Sequence, residues 1–514
     1  MKIEIPQIFW HGNNDRVMSI DFYPNTNYLV TCGAESEDKM WVKLWDLTPS
    51  SSPAQIKDAE ASSIPVIENE NPDESIISRR PVFIAELTGA HTATVNIARF
   101  SPNGMYVATA GDDRTIVIWV QKSKPVSFGA TEEKISWCNA KILRGHLSDV
   151  YDISWSPDSL YLVSGSVDNS AIVWSVEKGK GVQKFTDHNH FVQGVAWDPR
   201  NKYIVTQSSD KSVRFYKNAM AKQDIKFYYL NQMKRFEKAT DDNNTNVICN
   251  NEDSDKMQID DEPKNEENPE MIKNNTTPNK SLTTHYYFAD EAQCPSFVRR
   301  LSWSPDGSIC LLVSGITKSQ TSNELNFVVW GMSRKDFSHP LFYIPTLDKS
   351  SVCVRFCPLL FKKEEKDTSV PALLDLPYVM VFAIATIDSV YIYGTDSINP
   401  RYAITNIHYQ ALTDLAWNGD SILAISSSDG YVSFCYFEKG ELGTPLKPEE
   451  IVNDDKLRNS YEMYLNIDIT KNVQQSTMVT TLIKPKKKKE ENNTNTINNN
   501  NQVQVQPEVI KTEL

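Results

Sequence analysis

An all-β, seven-bladed propeller with disordered insertions and a disordered C-terminal tail is the fold predicted by this 514-residue sequence, and three observations predict it. One spacing recurs: a histidine, an aspartate 22 residues later and an aromatic 28 residues after the histidine, as His91/Asp113/Trp119, His146/Asp168/Trp174 and His188/Asp210/Tyr216. A fixed ruler of this kind marks stacked copies of one supersecondary unit. A strand pattern with an apolar start then appears seven times: VMSIDF at 17, VNIARF at 95, VYDISW at 150, VQGVAW at 192, VRRLSW at 298, VCVRFC at 352 and LTDLAW at 412. Seven later strands match them, ending at Trp45, Trp119, Trp174, Tyr216, Trp330, Tyr393 and Cys435.

Within a unit the order is constant. Residues 144–174, RGHLSDVYDISWSPDSLYLVSGSVDNSAIVW, read as a Gly-His turn, an apolar strand, a Ser-Pro-Asp turn, a strand of small residues, an Asp turn and an aromatic strand. Short strands joined by Asp, Asn, Gly and Pro turns at even spacing indicate a propeller blade. An array of blades leaves open edges unless its termini pair, and open edges invite aggregation. The segment IEIPQIFW, residues 3–10, has strand composition and is expected to supply the outer strand of the seventh blade, with Pro6 restricted to an edge position.

Bulk composition narrows the function classes. The net charge of −13 argues against a chain that coats DNA directly and suits basic partners. The eight cysteines form no CxxC pair, so neither a zinc site nor a disulfide framework is indicated, and they read as reduced, mostly buried thiols. The longest strongly apolar run, 378–387, is far shorter than the ~20 residues that span a bilayer, and Glu4 and Pro6 interrupt the place where a signal peptide needs an apolar core. An intracellular protein with no membrane contact is expected.

The ruled residues carry the ingredients of a hydrolase triad, with Ser164 or Ser166 beside His146 and Asp168. A triad occurs once, whereas this set occurs three times, so a structural network that fixes turns is the stronger reading. The pair His188 and His190 invites a metal reading, but His188 already belongs to a ruled set. No catalytic, metal or cofactor site is therefore assigned.

The propeller is expected over 1–446, interrupted by mobile insertions at about 48–80 and 222–285. Between Glu237 and Lys273 the second insertion sets twelve acids against four lysines, a composition able to shield a basic protein or simply to stay solvated. Residues 447–514 are expected to be a disordered polar tail. Within that tail Lys484, Lys486, Lys487, Lys488 and Lys489 form a basic cluster that reads as a nuclear import signal.

The repeated His, Ser or Thr, Asp and Trp resemble the WD-repeat family, in which these residues form a hydrogen-bonded cluster in each blade. The segments HFVQGVAWDP, SFVRRLSWSPDGS, VRFCPLLF, LPYVMVFAIATIDSVYIY and SSDGYVSFCYFEKGELGTPL are similar to a narrower group, the family of the middle, B-type subunit of chromatin assembly factor 1. Subunits of the histone-regulator (HIR) type share LSWSPDG, SVDN and ELG-x-PL, but FEKGELGTPL and YYFADEA favour the assembly-factor family. That resemblance implies a nuclear, non-enzymatic scaffold in a histone chaperone that deposits histones H3–H4 on replicated or repaired DNA. The implied partners are the large subunit of the complex, its small WD-repeat histone-binding subunit and H3–H4. An anti-silencing-type chaperone is in doubt, because the Arg-Arg-apolar-x-Pro motif of many members is absent and TTLIKPKKKK, residues 480–489, is the nearest segment. A WD-repeat ring also suits a substrate adaptor of a ubiquitin ligase. Asp149, Tyr151, Gln193, Arg299 and Arg300, at the starts of inner strands, are the expected exposed, partner-facing residues.

Overall fold

A computed structural model describes residues 1–8, 10–11, 15–33, 42–48, 81–122, 136–219, 225–234, 236–240, 282–319, 325–346, 349–364, 371–447, 450–451, 457 and 481–482. Most of the two expected insertions and of the tail, including the lysine cluster, lies outside these residues. Among them, no helix is long and apolar enough to cross a membrane.

Seven antiparallel sheets follow one another along the chain. Blades 1 to 4 start with the inner strands Val17–Phe22, Val95–Phe100, Val150–Trp155 and Val192–Trp197. Blade 5 starts with Ser302–Trp303, blade 6 with Ser351–Lys362 and blade 7 with Leu412–Asn418. Second strands such as YVATAG, YLVSGS and YIVTQS are buried after their first residue, whereas the outer strand KGVQKF of blade 3 is mostly open. Strands covered on both faces read as continuous small or apolar runs, which is why alternation is absent there.

The core lies between blades. Tyr106 stacks on Trp155 at 6.1 Å, Tyr161 on Trp197 at 6.3 Å and Tyr203 on Trp303 at 6.3 Å, so one aromatic contact repeats at the three junctions from blade 2 to blade 5. Lys2–Glu4 pairs antiparallel with the third strand of blade 7, Lys2 opposite Tyr436 and Glu4 opposite Phe434, and closes the ring. Pro6 lies just beyond that strand, and the fully buried Trp10 packs on Trp45 at 4.7 Å between blades 7 and 1.

The range 222–285, expected as a loop, is narrower than that among the described residues. Phe227–Met233 is the outer strand of blade 4, its buried ends Phe227 and Met233 anchoring it to the core. Phe236–Thr240 and Leu282–Phe288 form a hairpin on the edge of the second strand of blade 5, Ile309–Ser319. At the other edge of that blade Thr481–Leu482 pairs with Phe342 and Tyr343.

Candidate functional site

The ruled residues meet as hydrogen-bonded chains. In blade 2, Trp119 Nε1 donates to Thr109 Oγ1 at 2.8 Å, His91 Nε2 lies 2.7 Å from that oxygen, and His91 Nδ1 lies 2.9 Å from Asp113 Oδ2. Blade 3 repeats this with Trp174, Ser164, His146 and Asp168 at 2.8, 2.7 and 3.0 Å, which selects Ser164 over Ser166. In blade 4, His188 joins Thr206 at 2.7 Å and Asp210 at 2.9 Å, while Tyr216, standing where the others have Trp, donates its hydroxyl to Asp187. Each aspartate also receives the backbone N–H of the residue after the histidine, from Thr92, Leu147 and Asn189. Burial would raise the Asp113 carboxyl, but the His91 ring and the Thr115 donors outweigh it and hold it at about 2. Asp168 and Asp210 are held well below the ordinary carboxylate range in the same way.

Two further chains escaped the ruler. In blade 1, His11 Nε2 lies 2.9 Å from Thr31 Oγ1, which also accepts Trp45 Nε1 at 2.9 Å. In blade 7, His408 Nδ1 lies 3.0 Å from Asp429 Oδ2 and its Nε2 is 2.8 Å from Ser433 Oγ, a serine on the third strand rather than the second. The His-to-Asp spacing there is 21 residues, one short of the ruler.

The order Ser, His, Asp in blade 3 is that of a hydrolase triad, but Ser164 is fully buried and its oxygen already accepts the Trp174 N–H. No attacking path to a substrate exists without opening the blade. His190 Nδ1 is taken by Ser209, and among the described residues no cluster of three or more His, Cys, Asp or Glu could hold a metal ion. The seven described cysteines are free, and burial pushes the Cys32, Cys353, Cys357 and Cys435 thiols up to about 12.

The channel is where the blades differ from one another. Every inner strand except that of blade 5 carries an irregularity at its second residue: Met18, Asn96, Tyr151, Gln193, Val352 and Thr413. Such a bulge re-aims a side chain, here at one mouth of the channel. Of the five residues expected there as exposed, Asp149 and Tyr151 are half-buried, whereas Gln193 is 3 % exposed and Arg299 and Arg300 are fully buried. The correction has a backbone cause. Phe288 occupies the edge of blade 5 opposite Gly315, and Ser314, at φ 58°, donates its N–H to Ser351 of blade 6. Residues 299 and 300 therefore leave their own sheet, with Arg299 N donating to Gln193 O and Arg300 N to Val352 O.

Arg300 crosses the channel as a result. Its guanidinium donates to the carbonyls of Met18 at 3.1 Å, Thr413 at 2.8 Å and Asn96 at 3.1 Å, touching blades 1, 7 and 2. It also lies 3.0 Å from Asp414, which Arg99 meets at 2.7 Å and Arg355 at 3.4 Å. Burial would raise the Asp414 carboxyl, and the guanidinia of Arg300, Arg99 and Arg355 instead hold it far below the ordinary range. Beyond this knot the opposite mouth opens into a cavity of about 460 Å³ lined by Asp21, Arg99, Asp152, Arg355 and a rim of aromatics and prolines.

The chain matches the model of the CAF1B/HIR1 beta-propeller domain over residues 69–254 and 239–442, and that of the WD domain, G-beta repeat, over residues 5–46. It is 34% identical over 443 residues to the FAS2 homolog, a chromatin assembly factor 1 subunit of Oryza sativa subsp. japonica, covering 85% of this chain and 73% of that protein. With the B-type subunit of chromatin assembly factor 1 of Gallus gallus the identity is 33% over 513 residues, covering 95% and 77%. With protein HIR1 of Yarrowia lipolytica it is 27%, covering 89% of this chain but 39% of that protein. A seven-bladed ring of WD repeats, a blade 5 rebuilt around YYFADEA and VRRLSW, and these matches over most of the chain place it in the family of the B-type subunit of chromatin assembly factor 1.

Proposed function

We propose that this chain is the non-enzymatic scaffold of a nuclear histone chaperone that deposits H3–H4 on DNA during replication- and repair-coupled nucleosome assembly. The observation that carries the reading is similarity to B-type assembly-factor subunits across nearly the whole chain, not over isolated repeats. The ring supports it, because its blades are tied to their neighbours by buried aromatic stacks and a shared charge knot, and a rigid ring offers several faces for docking without internal motion. Its partners in this reading are the large subunit, the small WD-repeat subunit and H3–H4. The lysines at 484–489 supply the import signal, and TTLIKPKKKK, residues 480–489, carries no Arg pair, which keeps the anti-silencing-type chaperone in doubt as a partner.

Affinity purification of the tagged chain from nuclei, with partners identified by mass, tests this. Recovery of the large subunit together with H3–H4 is the expected result. A preparation with neither would overturn the reading, and a cullin-type ligase or HIR-type subunits in their place would replace it. Replacing all five lysines by Gln is expected to shift a fluorescent fusion towards the cytoplasm.

A further inference from the structure

We propose that the channel mouth bordered by blades 2 to 5 receives a lysine or arginine side chain from a basic peptide segment. Tyr151 and Phe297 form a T-shaped pair at 6.3 Å, with Tyr151 half-buried and Phe297 60 % exposed, so one aromatic face of the pair stands open at the surface. Asp112 and Asp149 flank the pair. Asp112 is oriented by the Asn96 amide at 2.7 Å, and Asp149 is half-buried at the start of its strand. Burial and then the Asp112 charge raise the Asp149 carboxyl, and burial with Asp149, Asp112 and Glu291 raises the Tyr151 hydroxyl, so these carboxylates act on one small region. The cations nearby are the exposed Arg114, which acts on Asp149, Arg16, which lines a pocket with Phe297, the buried Arg299, which Glu291 acts on, and His190, whose Nδ1 lies 3.8 Å from Glu291.

An independent observation says what is missing. The Gln193 amide is buried at the floor of this mouth, where its Nε2 donates to the Phe297 carbonyl at 3.3 Å, while its Oε1 has no partner. A buried acceptor without a donor is costly, and the aspartates beside it also offer only acceptors. Lysine and arginine are the side chains that bring donors alone, carry the complementary charge and sit well on an aromatic face. The bulges at Tyr151 and Gln193 aim both residues at the mouth, a placement the regular ladder would not give.

The inference rests on the chromatin reading only for the choice of probe. Fluorescence anisotropy of the full chain with a labelled histone H3 N-terminal peptide is expected to show salt-sensitive binding that is lost when every Lys and Arg of the peptide is Gln. Asp149→Lys and Phe297→Ala are each expected to weaken it about tenfold, because both the charge and the aromatic face are used. Tyr228→Ser, on the outer strand of blade 4, leaves it unchanged, and thermal unfolding confirms that each variant folds. Absence of binding, binding to the all-Gln peptide, or equal affinity for folded Asp149→Lys, Phe297→Ala and the unaltered chain would overturn the proposal. Copurification with the large subunit is scored separately, so the pocket can fail while the family's assembly role stands.

Discussion

Blades 3 and 5 carry nearly the same inner sequence, YDISWSPDS at 151–159 and RRLSWSPDG at 299–307, and adopt different backbones. Their turns agree. Ser156 and Ser304 each bond the aspartate two residues on, and each receives the backbone N–H five residues on, at 2.9 and 3.1 Å. Their strands do not: blade 3 pairs from Val150 to Trp155, blade 5 only at Ser302 and Trp303. A turn closed by its own side chains is set locally, whereas a strand takes its path from whichever neighbours offer hydrogen bonds. In blade 5 the Leu282–Phe288 strand has taken the edge, and Arg299 and Arg300 are satisfied by blades 4 and 6.

The largest test of this contrast is Arg300→Ala. Removing the cation leaves Asp414 with fewer partners and takes one donor from each of three backbone carbonyls, and breaking a buried pair of this kind costs about 3–5 kcal/mol. Urea unfolding of the purified chain should show that loss, and a loss below about 1 kcal/mol would make the arginine a passenger in the channel. Gly194→Ala probes the same junction from blade 4. An added Cβ would stand 1.8 Å from the Arg299 carbonyl oxygen, a backbone atom, so a cost at the upper end of about 1–3 kcal/mol is expected. Gly181→Ala is the control, since its Cβ would meet side chains rather than backbone, Ile172 at 3.3 Å and the Trp174 ring at 3.7 Å, and unfolding should change far less.

His146→Ala tests the regular side of the comparison. It leaves Asp168 and Ser164 short of a partner in blade 3, and the expected loss is about 1–3 kcal/mol. A wild-type unfolding curve would show that the chain adds nothing to the turn.

The ruler finds blades 2 to 4 because their turns are of equal length, so His, Asp and aromatic fall at one spacing. It passes over His408 and Asp429, one residue closer together, and His11, whose separation from Thr31 is 20 residues where blades 2 to 4 have 18. A search allowing the spacing to vary by one reaches His408, but His11 has no aspartate 20 to 24 residues on and its Trp45 lies 34 residues away, so no such relaxation finds it. No such search finds Arg300. VRRLSW is a good strand by composition, and its departure from the sheet depends on Phe288 and Ser351, which are distant in sequence and meet it only in the ring. The expectation that Arg299 and Arg300 are exposed follows from their place at the start of an inner strand, which assumes that blade 5 pairs like its neighbours. Charged side chains are seldom buried unpaired, and the aspartate that pairs with Arg300 lies 114 residues away in blade 7.

The smallest expected effect is in the acid response. Asp113 in the fold titrates at about 2 against an ordinary 3.8, so the unfolded chain binds its proton first as pH falls. The stability it contributes is complete above about pH 4 and is lost as pH drops through about 2. Asp168 and Asp210 act in the same direction. Asp21 opposes them over a higher window: burial raises it to about 6, so the folded chain holds that proton first and acidification from about 6 to 4 favours the fold. His11, lowered by burial to about 3, opposes Asp21 there, because the unfolded chain takes up its proton between about 6.5 and 3. Asp21 and His11 thus pull in opposite directions between pH 6 and 4, whereas below 4 the pins of blades 2 to 4 all act in one direction, destabilising the fold as they lose their charge. Asp113→Asn should flatten that lower limb in urea midpoints taken across pH, with the upper limb unchanged. Parallel curves at all pH values would mean that the blade 2 pin contributes no charge-dependent stability.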